Sequence, residues 1–391
     1  MREKVPSTNQ GSSLLPSLLF FFYFAATGCV TPFLNVFYQE KGLSIPQIAI
    51  LGALPMGLTL IAAPVWAGIA DYFGLHRKIL PLIMFLSIPF MVLIGFFNSF
   101  WTLLVVVILY GICSSPIMSL SDNSVLSFLG SERSRYGHLR LWGSIGWGLS
   151  GWLTGVFMER MGPTVAFAAF VIFMALGGWM AMQMPEPEFK KGIPYWTSLG
   201  KVIRDNRWIA FLLGSFLAGT AFMFISNYFF IFLKNLGAPS GLQGLMVASS
   251  VILELPFFIF SAILIKKFSA RSLILFSFVV LIFRLIFSSL LKNPYWGVVV
   301  NMLHGPFYST FWAGAVNYAR DIAPRGLGAS AQALFAASFF GLGGVMGALL
   351  GGVLFEQFSP AVMFHVGAGL TLAGLVLFAW LGRQSIGQTI R

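Results

Sequence analysis

Charge is what this sequence has least of. Only 9% of its 391 residues are charged, and the acidic ones number 12 against 24 basic. A soluble domain needs a polar skin, and a chain that is 58% hydrophobic cannot supply one. Cysteine is equally sparse: Cys29 and Cys113 both lie inside apolar runs, which excludes a disulfide framework and leaves packing as their role. No histidine, cysteine or acidic cluster has metal-ligand spacing, no serine or cysteine sits beside a plausible base, and no glycine-rich loop could cradle a phosphate between a strand and a helix. An enzyme, a metalloprotein, a cofactor-dependent protein and an ATP-driven pump are therefore all disfavoured. No sizeable polar domain is present to serve a receptor.

What the sequence has in abundance is apolar length. Its mean hydropathy is +0.85, and stretches long enough to cross a bilayer recur about every 30 residues. They fall at residues 14–38, 47–70, 79–97, 102–129, 136–158, 163–184, 208–233, 241–265, 272–291, 295–319, 328–355 and 361–381. The predicted fold class is an all-α membrane protein with 12 transmembrane helices. The net charge of +12 arises from topology rather than from a nucleic-acid-binding patch. If the N-terminus and every second loop share one side, only Lys41, Arg160, Lys234 and Lys292 fall opposite, with Arg140 and Arg284 inside spans and every other base on the N-terminal side. The positive-inside rule then places both termini in the cytoplasm of a multi-pass inner-membrane protein. The first span is full length and lacks a small-residue cleavage pattern, so it reads as an uncleaved anchor.

One long polar connection, from Pro185 to Arg207, divides the spans six and six. The expected domains are an N-terminal six-helix bundle at 1–184, a cytoplasmic linker at 185–207 and a C-terminal six-helix bundle at 208–391. A short internal echo supports a tandem duplication: Tyr38-Gln-Glu-Lys-Gly42 followed by Gln47 matches Leu233-Lys-Asn-Leu-Gly237 followed by Gln243. Two similar halves place a binding site near the midplane between them. Glycines 143, 146, 151 and 155 in the fifth span, and 343, 347 and 351 in the eleventh, are expected to mark close helix packing.

Four charges nevertheless remain inside the apolar segments: Asp122, Arg140, Glu254 and Arg284. Each costs about 2.5–3.5 kcal/mol at the bilayer centre, so each must be paired or wet. Pairing of Asp122 with Arg140 and of Glu254 with Arg284 is expected, because each pair descends from the same face to similar depth; Glu254 and Arg284 both lie about 18 Å from their helix ends. His304 lies near the same level, at about 22 Å. A carboxylate, a guanidinium and an imidazole at one depth are suitable parts for a proton site. His365, alone in the twelfth span, reads as a satisfied core histidine. Trp147, two turns after Arg140 on the same face, could stack against a ring-bearing solute or simply pack.

Sequence patterns narrow this reading. The run Ala67-Gly-Ile-Ala-Asp71-Tyr-Phe-Gly74-Leu-His-Arg77-Lys78 resembles the cytoplasmic loop signature of the major facilitator superfamily, departing from it at Ala67 and Tyr72. That resemblance implies a gate latch made by Asp71 with Arg77 or Lys78, and a fold of two six-helix bundles. More narrowly, Phe21-Phe-Tyr-Phe24 with Gly28 and Pro32-Phe33, and Tyr136-Gly-His-Leu-Arg140-Leu-Trp-Gly143-Ser-Ile-Gly146-Trp147, are similar to the first and fifth spans of lactose permease. The cluster implied is that of lactose permease, the nucleoside:proton symporters and the 3-phenylpropionate permeases. In that alignment Asp122, Arg140, Trp147, Gly28 and His304 become substrate-binding, while Glu254, Arg284, His304 and Asp122 become proton-coupling. The family's proton-carrying carboxylate position is Phe307 here and its neighbouring lysine is Asn301. Any transported proton therefore falls to Glu254 or Asp122.

The function expected is secondary active transport by alternating access: proton-coupled symport of a small polar organic solute, sugar-like or nucleoside-like. The alternatives are an uncoupled facilitator, a proton-driven exporter, or a permease for an aromatic carboxylic acid. The partners expected are that small-molecule substrate, a proton and the lipid bilayer, with no nucleic acid and no cofactor. A monomer is the default for this architecture.

Overall fold

An apolar chain in lipid must satisfy every backbone N–H and C=O internally, which favours helices. The computed structural model describes residues 13–73, 76–129, 135–185, 205–323 and 328–381, and among these no strand occurs. The first three spans are the helices Leu14–Glu40, Ile45–Phe73 and His76–Phe96. The fourth is broken into Phe100–Ser114 and Ile117–Leu129, and the fifth and sixth are Tyr136–Met161 and Thr164–Gln183. The seventh is Asn206–Asn235, the eighth Ser240–Ile259 continued by Ser261–Phe268, and the ninth Ala270–Ser289. The tenth is broken into Gly297–Met302 and His304–Ile322. In the eleventh, a π-helical turn at Ala337–Leu342 separates Gly328–Ala336 from Gly343–Gln357, and Pro360–Leu381 is the twelfth. Most of the polar connection between the sixth and seventh spans lies outside the described residues.

Two of the breaks follow from proline. Pro116 has no N–H for the carbonyl of Ile112, and the helix stops there; the Trp66 indole, from the second span, donates to that carbonyl instead at 2.9 Å. Pro306 likewise cannot bond the carbonyl of Met302, where the first half of the tenth span ends.

Ten helical stretches among the described residues are long and apolar enough to cross a membrane. The fifth and tenth spans do not reach that threshold, and both pack against the eighth. Outward-facing positions elsewhere carry large apolar side chains such as Ile61, Phe96, Trp101, Ile172, Trp179 and Phe283, as a lipid-facing surface requires.

The echo between the halves has a structural cause. The first and seventh spans end in the same way: the N–H of Leu43 bonds the carbonyl of Tyr38 at 3.2 Å, and that of Ala238 bonds Leu233 at 2.9 Å. Gly42 (φ 82°) and Gly237 (φ 86°) occupy the left-handed position that this C-cap demands.

Glycines set how the bundles meet. A Cβ on Gly155 would lie 2.7 Å from the Cα of Gly244, joining the fifth span to the eighth, and one on Gly352 would lie 2.7 Å from the Cβ of Ala49, joining the eleventh to the second. Polar contacts reinforce the same end of the molecule. Asn35 donates to the carbonyl of Asn227 at 2.9 Å, Gln39 to Asn235 at 3.2 Å, and Gly241 N–H to Glu159 at 3.2 Å. Lys234 pairs with Glu40. Lys41, beside them, donates to the carbonyls of Gly95 and Phe97 and to Asn98, closing the end of the third span.

Candidate functional site

The retained charges are distributed differently from the pairing expected. Asp122, on the second half of the broken fourth span, accepts a hydrogen bond from the Tyr136 hydroxyl at 2.7 Å rather than an ion pair from Arg140. Tyr136 lies one helical turn nearer the end of the fifth span, and its ring reaches the carboxylate first. Arg140 instead lies over the Phe24 ring, 3.9 Å from its centroid, with Phe20 at 5.8 Å. Cation–π attraction holds the guanidinium there, and its donors have no carboxylate within bonding distance among the described residues.

Glu254 and Arg284 also fail to pair directly, because the His304 ring stands between them. Glu254 is buried and accepts from the Ser144 hydroxyl at 2.8 Å, a bond that crosses from the fifth span to the eighth. His304 Nε2 faces the same carboxylate at 3.8 Å, and its Nδ1 lies 3.2 Å from Arg284 Nη1. A guanidinium can only donate, so Nδ1 must accept, which leaves the imidazole proton on Nε2, directed at Glu254. Arg284 completes its contacts with Asn301 Oδ1 at 2.7 Å, and Asn301 in turn donates to the carbonyl of Met246 at 2.6 Å.

The backbone beneath Glu254 is fixed as firmly as its side chain. Ser309 donates to the Glu254 carbonyl at 3.0 Å, and a Cβ on Gly305 would come within 2.5 Å of the Glu254 nitrogen. Only glycine lets the tenth span approach so closely.

An aromatic wall adjoins these groups. His304, Tyr308 and Trp312 recur every four residues on one helix face and stack, with centroids 5.3 Å and 6.2 Å apart. Phe222 from the seventh span lies against His304 at 5.8 Å.

Other expectations resolve individually. Gly28 is buried where the first span touches the fifth, and a Cβ there would lie 2.7 Å from the Trp147 carbonyl, so its role in this structure is close approach. Trp147 is half-buried, and its indole N–H has no protein acceptor among the described residues. Phe307 is fully buried between Phe222 and Phe311. His365 is exposed rather than part of the core, and meets the Ser289 hydroxyl at 3.2 Å. Cys29 and Cys113 are buried free thiols. Of the gate residues, Lys78 is exposed at the start of the third span, while the side chains of Asp71 and Arg77 lie outside the described residues.

Ser144, Asn301 and Tyr308 were not singled out as site residues from the sequence alone. Serine and asparagine give no composition signal; the four-residue recurrence of His304, Tyr308 and Trp312 could have been read.

Comparison with known proteins agrees with this architecture. A family model described as the MFS_1 like family matches residues 15–366. Maltose permease of Geobacillus stearothermophilus is 26% identical over 373 residues, covering 94% of each chain. The uncharacterized transporter YwbF of Bacillus subtilis is 24% identical over 367 residues, covering 93% of this chain and 91% of its own. The crystal structure of the nucleoside transporter NupG, as its D323A mutant, superposes with a TM-score of 0.83 at 14% identity, covering 94% of this chain and 99% of that one.

Proposed function

This chain belongs to the MFS_1 like family of membrane transporters, and from that premise we propose that it is a proton-coupled symporter of a small polar organic solute, sugar-like or nucleoside-like. The observation that carries the reading is the Ser144–Glu254 hydrogen bond, which links the buried carboxylate of one bundle to the span that bears Arg140 in the other. A solute lodged between the bundles would contact Asp122, Arg140 and Trp147 on one side and Glu254, Arg284 and His304 on the other. Its arrival would alter the surroundings of both carboxylates, which is the requirement for linking solute to proton. Resemblance to a maltose permease supports the sugar class.

Residues 1–184 and 208–391 would then rock about the site, with 185–207 as the tether and Asp71, Arg77 and Lys78 forming the gate at the opposite end from the Glu40–Lys234 pair. The loop charges support cytoplasmic termini in the inner membrane, and a monomer suffices for this mechanism.

Uptake into vesicles under an imposed pH gradient tests the proposal. Wild-type protein should accumulate solute uphill, whereas Asp122→Asn and Glu254→Gln should only equilibrate it. Undiminished accumulation by both variants would overturn the coupling assignment, and flux indifferent to pH in wild type would indicate a facilitator. Outward flux driven by the gradient would indicate an exporter.

One observation favours a second substrate class. Arg140 offers guanidinium donors that no carboxylate among the described residues occupies, beside the Phe24 ring. An aromatic carboxylic acid fits that combination, the carboxylate on Arg140 and the ring against the aromatics. Competition for uptake between a sugar, a nucleoside and an arylpropionate separates the classes.

A further inference from the structure

A cleft of about 540 Å³ opens on the outside of the bundle, between the end of the ninth span and the start of the tenth. It is remote in character from the central charges. Its walls are apolar, with Leu290, Val299 and Leu303 among them, and no acidic residue lines it. At its mouth stand Lys292, Asn293 and Trp296.

We propose that this cleft binds one phospholipid with an anionic headgroup, its acyl chain along the apolar wall and its phosphate at Lys292. Three observations meet here. Lys292 is exposed and has no ion pair or hydrogen bond among the described residues, so the mouth carries an unanswered positive charge. Asn293 spends its oxygen on the N–H of Tyr295 at 2.9 Å, which leaves its amide N–H groups as donors, and the exposed Trp296 adds an indole N–H. The walls, finally, run from Phe287 at the end of the ninth span, a membrane-crossing helix, to Val299 and Val300 in the first half of the tenth, so the cleft faces acyl chains with its donors at headgroup level. A water-soluble solute would find nothing polar below the mouth. An amphiphile finds donors above and hydrocarbon below.

The site has a second face. Val300 and Leu303 line the cleft on either side of Asn301, and His304 follows directly. An acyl chain in the cleft would therefore bear on the break in the tenth span from outside, while Asn301 and His304 hold Arg284 from inside. Any effect on transport rests on the function proposed above, but lipid retention does not, and it can be read without any substrate.

The test is native mass spectrometry of the purified full chain in detergent, titrated with phosphatidylglycerol or phosphatidylcholine, together with photo-crosslinking by phosphatidylglycerol carrying a diazirine in its acyl chain. One phosphatidylglycerol should be retained in preference to phosphatidylcholine, with crosslinks concentrated in residues 287–303. Lys292→Gln, at an exposed position, should weaken retention about fivefold. Val299→Trp, which fills the cleft, should abolish the crosslinks there. Equal retention of the two lipids, retention unchanged in Lys292→Gln, or crosslinks spread evenly over the lipid-facing helices would each overturn the proposal.

Discussion

Asn301 ties three spans together through one amide: it accepts from Arg284 and donates to the Met246 carbonyl. Asn301→Ala leaves a buried guanidinium short of an acceptor, at about 1–3 kcal/mol, while the Met246 carbonyl keeps the Ser249 hydroxyl as a donor at 2.9 Å. A lowered thermal midpoint in detergent, together with loss of uptake, is the expected result. Gln243 presents the opposite case. Both its amide atoms are buried without a partner among the described residues, near the contact of Gly244 with Gly155. Gln243→Met removes that desolvation cost while keeping the volume, so it should raise the thermal midpoint measured in the same assay.

At the scale of the helix, Pro116 decides where Asp122 points. Restoring the N–H with Pro116→Ala lets the fourth span continue straight and competes with Trp66 for the Ile112 carbonyl. Thermal stability should hold or improve, while uptake falls as Asp122 leaves Tyr136. Undiminished uptake would show that the break does not position the carboxylate. The start of the seventh span is controlled by Asp205, which accepts from the N–H of Arg207 at 2.9 Å and pairs with its guanidinium at 3.0 Å. Partial burial pushes the Asp205 carboxyl up, but its bonds to Arg207 outweigh that and hold it below the usual carboxylate range. A folded value depressed in this way gives stability at neutral pH that is lost as pH falls through it. Asp205→Ala should therefore cost about 1 kcal/mol or less at pH 7, the site being partly exposed, and almost nothing in melts at strongly acidic pH.

Across the whole molecule, contacts of related residues close one end. Gln39 and Lys234 hold equivalent positions in the two halves, as do Glu40 and Asn235, and the observed contacts are Gln39 with Asn235 and Glu40 with Lys234. This is the reciprocal pattern expected of a two-fold-related interface. The ion pair is partly exposed, so it contributes about 1 kcal/mol at most, enough to shift a two-state balance about fivefold. Glu40→Gln should raise the labelling rate of a cysteine placed between the bundles by a reagent added from that side, and a charge swap at both positions should restore it.

Ten of the spans were legible because a bilayer demands about 20 apolar residues for each crossing, and that length is written directly in the chain; the fifth and tenth, more polar, were legible from their spacing between the others. The shared level of Glu254, Arg284 and His304 was legible too, since rise per residue is fixed, and the three side chains do come together. Side-chain partnership was not legible. The expected pairs failed because Tyr136, Phe24, His304 and Asn301 stand nearer to the charges than the charges do to one another, and only the packing of helices from distant parts of the chain puts them there. Sequence alone determined which groups must be sheltered from lipid and that Glu254, Arg284 and His304 share one level along their helices. Tertiary structure decided what shelters them, because direction around a helix axis depends on the neighbours it packs against, and those neighbours come from spans scattered across both halves.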